Sequence, residues 1–110
     1  MDISTQVDND AIIITVTGQL DAHGAIALDT VIEQTLADRT FKIMVNCIQL
    51  EYMSSAGMGV FISYFEDIRT KGGSLVFYGL QPNVRTAFEI LGLEKVFKVV
   101  STEDEARLAI

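Results

Sequence analysis

Six consecutive β-branched residues, Ile12-Ile13-Ile14-Thr15-Val16-Thr17, place Ile12, Ile14 and Val16 on one face and predict a strand that Gly18 closes. The shorter stretch Ile3 to Val7 predicts a partner strand, joined as an antiparallel hairpin through the turn-forming residues Asp8-Asn9-Asp10. The period then changes. Ala25, Leu28, Ile32 and Leu36, widened by Val31, follow helical spacing from Ala25 to Ala37, with Asp21 upstream as a cap. Lys42-Ile43-Met44-Val45-Asn46 carries three apolar residues in a row, the mark of a central strand buried on both faces, and Ile48 to Met53 reads as its extension.

A second helix is expected from about Ser55 to Thr70, with Met58, Phe61, Ile62, Phe65 and Ile68 facing the core. At about 100° per residue, Ala56, Val60, Ser63 and Asp67 fall opposite, with Gly59 beside them, a surface of mostly small residues leading back to Ser55. Gly72-Gly73 makes a turn and Ser74 to Tyr78 a strand. Pro82 suits the first turn of a helix with Val84, Ala87, Phe88 and Leu91 inward, and Gly92 ends it. Val96 to Val100 is the last strand. Thr102-Glu103-Asp104-Glu105 opens a terminal helix that includes Leu108 and Ile110. The order is ββαβαβαβα, which predicts an α/β fold. Its sheet is mixed but mostly parallel, with an N-terminal antiparallel hairpin and right-handed crossovers. Residues 1–110 read as a single domain.

The 49% hydrophobic content is enough for a core without disulfides or metals. The single cysteine, Cys47, excludes an internal disulfide and reads as a buried apolar thiol. The polar, acidic start and the absence of a long apolar run argue against a secretion signal or membrane insertion, so a cytoplasmic location is expected. A net charge of −7, with the basic residues scattered, opposes direct binding to nucleic acid and favours a protein partner.

The chemistry concentrates at Tyr52-Met53-Ser54-Ser55-Ala56-Gly57-Met58-Gly59, where a strand hands over to a helix. Free backbone N–H groups and the positive end of the helix dipole meet two hydroxyls there. A strand-turn-helix serine also describes the nucleophile elbow of α/β-hydrolases. However, Met53 stands where that motif has its first glycine, and the sole histidine, His23, precedes the serine. Gly57-Met58-Gly59 lacks the third glycine of a dinucleotide fingerprint. No metal-ligand cluster exists, the central strand ends in Asn46 where a phosphoaspartate site would want a carboxylate, and no cofactor is implied. The reading is therefore not an enzyme. What remains is a serine that either caps the helix or switches an interaction. Phosphate adds about 1.5 to 2 negative charges, which a helix N-terminus tolerates and a docked partner does not. A loss of about 3 kcal/mol weakens binding more than a hundredfold.

The segment Leu50 to Phe61 resembles the signature of the STAS family, which includes the bacterial anti-sigma factor antagonists. Gly18-Gln19-Leu20-Asp21-Ala22, Gly79 to Arg85, and Leu91-Gly92-Leu93 with Val96-Phe97 resemble further landmarks of that family, in order along nearly the whole chain. The resemblance implies the STAS fold and a partner switch. Ser55 would be phosphorylated by an anti-sigma factor that is also a serine kinase, a serine phosphatase would reverse this, and the unphosphorylated chain would bind the anti-sigma factor. Asp21 matches the acidic turn residue that lies near the phosphoacceptor in relatives. With Ser54, Ala56, Gly57, Gly59, Val60 and Ser63 it forms the expected partner-binding set. Ser54 departs from the family pattern, which has an acidic residue there; it is the second candidate acceptor or the helix cap. A phosphorylation-independent scaffold or lipid-transport accessory subunit is the alternative within the family.

Overall fold

The computed structural model describes residues 1–110. Strands β1 (Asp2–Asp8) and β2 (Ala11–Leu20) form the expected antiparallel hairpin, in unbroken register from Asp2 opposite Thr17 to Asp8 opposite Ala11. Asn9 takes the left-handed conformation in the two-residue turn (φ 57°), which its short amide side chain tolerates. Gly18 does not end β2. It adopts φ 85°, and the register shifts between Gly18 and Gln19 before the strand runs on to Leu20.

That continuation has its own partner. Strand β3 (Lys42–Asn46) stops at Asn46, whose Oδ1 accepts the Ile48 N–H at 3.0 Å, and the chain turns before a separate strand β4 (Leu50–Met53). β4 pairs in parallel with Gly18, Gln19 and Leu20, so the stretch from Ile48 to Met53 is not an extension of the central strand. β5 (Ser74–Tyr78) and β6 (Lys98–Val100) complete a sheet ordered β1-β2-β3-β5-β6, parallel except at the hairpin. β6 is shorter than expected, because Leu93–Lys95 winds into a 3-10 turn and Phe97 donates its N–H to Leu93 O at 2.8 Å.

Strand alternation divides the core between two faces. On one face Ile14, Val16, Ile43, Val45, Leu75 and Phe77 are covered by helices α1 (Ala22–Ala37), α2 (Ser55–Thr70) and α3 (Pro82–Ile90). Phe77 anchors this layer, edge-on to Phe61 at 4.9 Å and to Phe88 at 5.3 Å between ring centroids. α2 buries Met58, Phe61 and Ile68 as its spacing predicts, but Ile62 is 49% exposed and is not a core residue. Leu91, expected inward, is 57% exposed because it follows the last turn of α3 instead of lying within it.

The opposite face holds a smaller cluster in which Ala11, Ile13, Met44, Val76 and Tyr78 meet Ala106 of helix α4 (Glu103–Ala109). Arg107 ties this helix down. It donates to Asp8 at 2.8 Å, to Glu103 at 2.8 Å and to Asp104 at 3.1 Å, while the Tyr78 hydroxyl donates to Glu103 at 3.1 Å. No helix is long and apolar enough to cross a membrane. Cys47 is buried as expected, and its burial pushes the thiol up to about 12.

Candidate functional site

α1, α2 and α3 all begin where a parallel strand leaves the same end of the sheet, so their N-termini share one pole of the molecule. Leu20 and Met53 are paired residues on β2 and β4, strands about 4.8 Å apart in such a ladder. The residues that follow them, Asp21 and Ser54, are therefore neighbours. Ser54 N–H also donates to Leu20 O at 2.8 Å, which locks the two strand ends together.

Each of the two residues caps a helix. Asp21 Oδ1 accepts the Gly24 N–H at 2.8 Å, and Ser54 Oγ accepts the Gly57 N–H at 3.1 Å, both from extended backbone. Ser54, half-buried, thus spends its oxygen on the helix. Ser55, the first residue inside α2, is exposed and its hydroxyl makes no hydrogen bond within the chain. No carboxylate occupies the first turn of α2 itself, and the one beside its start is that of Asp21, which is bonded to the Gly24 N–H of α1.

Downstream, the expected partner-binding residues separate. Ala56, Gly59 and Ser63 are exposed on the outward side with Ser55, and Ser63 Oγ turns back to donate to Val60 O at 2.7 Å. A Cβ added to Gly59 would have nothing within 4 Å, so no contact inside the chain requires glycine at that position. Gly57 is different. It is buried, and a Cβ there would sit 2.8 Å from Leu20 Cδ2 and 3.3 Å from Met53 Cγ, so Gly57 lets α2 rest on β2 and does not reach the surface. Val60 is half-buried against the core, and Asp67 is exposed.

Sequence reasoning missed the remaining wall of this pole. Gln81 Nε2 donates to Ile48 O at 2.9 Å, and Asn83 Nδ2 donates to Glu51 O, so the start of α3 braces the loop and strand that lead to the serines. Two amides around Pro82 were the available signal. Ile48 and Tyr52 stand about half exposed beside this brace, leaving apolar surface on the segment that leads to the serines. His23 is exposed in the first turn of α1, and no cluster of groups suited to a metal ion is present.

The arrangement presents a free hydroxyl on a rigid, capped helix start, flanked by a carboxylate, small residues and apolar side chains. Solved structures share the surrounding fold. The Thermotoga maritima protein TM1081 superposes with a TM-score of 0.92 at 19% identity, over 98% of this chain and 93% of that one. The anti-sigma factor antagonist SpoIIAA in its unphosphorylated form gives 0.78 at 17% identity, over 98% and 96%. In sequence, the anti-sigma-B factor antagonist of Listeria monocytogenes is 31% identical over 108 residues, 96% of this chain and 95% of that protein. The protein of the same name from Staphylococcus aureus is 27% identical over 99 residues, 90% and 92% of the two chains. The STAS domain pattern matches residues 2–106, and with this agreement of sequence and overall fold the chain belongs to the STAS domain family.

Proposed function

We propose that this chain, acting as one STAS domain, is an anti-sigma factor antagonist. In this reading the unphosphorylated form binds a kinase-type anti-sigma factor in the cytoplasm, and phosphorylation of Ser55 releases it. A serine phosphatase restores binding. Binding withholds the anti-sigma factor from its sigma factor; no catalysis by this chain is involved.

The observation that carries the reading is the division of labour between two adjacent serines. With Ser54 capping α2, the Ser55 hydroxyl is free for transfer of a phosphoryl group without loss of the cap. A dianion at this position is solvated by the helix N-terminus within the chain, yet it faces any protein resting on Ala56, Gly59 and Ser63. Relatives along nearly the whole chain carry the name anti-sigma-B factor antagonist, and SpoIIAA, a fold neighbour, has been solved in a phosphorylated form.

The test is incubation with the cognate anti-sigma factor kinase and ATP, followed by peptide mass mapping. One phosphate on Ser55, none on a Ser55→Ala variant, and weaker kinase binding by Ser55→Asp are the expected results. Phosphate on Ser54 alone, or equal labelling of Ser55→Ala, overturns the assignment.

A further inference from the structure

The two edges of the main sheet are unequal. β6 is three residues long and carries Lys98, two features that discourage strand addition. β1 is seven residues long, holds register with β2 throughout, and has no proline, lysine, arginine or bulge. The two-residue turn makes Asp8 and Ala11 a hydrogen-bonded pair. Alternation along the ladder then turns the backbone groups of Ile3, Thr5 and Val7 away from β2. Gly18 on β2 agrees with this phase, donating its N–H to Gln49 O at 2.8 Å on the side opposite β1. Val7 is 76% exposed, and a groove of about 430 Å³ lies between β1 and α1, floored by Ile3, Ile12 and Val31.

We propose that two copies of the chain pair through β1, antiparallel about a two-fold axis at Thr5, so that one sheet runs across the dimer. The outward row matches itself. Thr5 faces Thr5, and Ile3 of each copy faces Val7 of the other, so each opposed pair exchanges two hydrogen bonds and two β-branched apolar pairs form over the grooves. On the other face Asp2 falls opposite Asp8 of the second copy, a like-charge pair that works against docking and is only partly offset by Arg107, which already answers Asp8, Glu103 and Asp104. The two-fold points the two Ser55 poles in opposite directions and leaves both uncovered. The inference is independent of the phosphorylation reading.

Light scattering on eluting peaks and sedimentation velocity, from about 10 μM to about 1 mM, test the pairing. The mass is expected to rise from 12.1 kDa towards twice that value, with tighter pairing as salt screens the −7 charge of each copy. Thr5→Pro removes the N–H at the axis without breaking the β2 ladder, and Val7→Lys puts a charge into the seam. Both variants are expected to stay at the monomer mass with unchanged circular dichroism. If Thr5→Pro fails to fold, Val7→Lys decides alone. In the wild-type dimer the Ile3, Thr5 and Val7 amides should exchange slowly with solvent, and Ser55→Ala should leave the mass profile unchanged. A wild-type chain that stays monomeric throughout, a Val7→Lys variant that dimerises like wild type, or a dimer whose β1 amides exchange freely overturns the proposal.

Discussion

Ser54 and Ser55 are chemically identical and physically opposite. Ser54 Oγ satisfies the Gly57 N–H, one of the donors left over at the start of α2, whereas the Ser55 hydroxyl has no partner in the chain. Ser54→Ala should therefore lower stability by about 1 kcal/mol. Ser55→Ala, on an exposed side chain, should change it by less than about 0.5 kcal/mol. Urea midpoints at constant slope measure both, and an equal cost for the two variants would contradict the assignment of the cap. The same contrast supports the proposed role of Ser55: a hydroxyl with no partner in the chain is free to be modified.

At the scale of the element, α2 contains two glycines with different constraints. An alanine methyl at Gly57 would meet Leu20, itself fully buried, at 2.8 and 2.9 Å, so Gly57→Ala should destabilise by about 1–3 kcal/mol. Gly59→Ala enters open space and should stabilise the helix by about 0.5–1 kcal/mol. If a partner rests on that face, the added methyl should weaken binding while the thermal midpoint rises; a more stable variant with undiminished binding would move the interface elsewhere. The helices and their caps were legible from residue order because their signals are local: Asp21 and Ser54 each bond an N–H three residues ahead. The break between β3 and β4 was not. It contains no glycine or proline, and it is set by the Asn46 side chain and by Ile48 lying against Gly79, where a Cβ would come within 2.5 Å of Ile48 Cγ1. Ile62 and Leu91 misled for a related reason. Apolar spacing says which residues are able to face a core, and only the packing of neighbouring elements says which do.

Across the whole molecule, α4 is attached differently from the other helices. Little apolar surface holds it, and the Arg107 guanidinium with the Tyr78 hydroxyl keeps the Glu103 carboxyl below its ordinary range. A carboxyl whose folded value is lowered contributes stability that is complete above the unfolded value, about 4.3, and is lost as pH falls through the folded value. Thermal midpoints should therefore drop as the solution is acidified below about pH 4.3. Arg107→Gln should flatten that part of the profile relative to wild type, and parallel profiles would show that the ion-pair cluster does not couple α4 to protonation. At the opposite extreme of sensitivity stands the first turn of α2, which has no carboxylate of its own. A phosphate on Ser55, in the proposed switch, would meet the free N–H groups of that turn on one side and the neighbouring Asp21 carboxylate, already bonded to the Gly24 N–H, on the other. On the proposed reading the chain would act as a latch with memory, and how long a signal is remembered would depend on the enzyme that erases it.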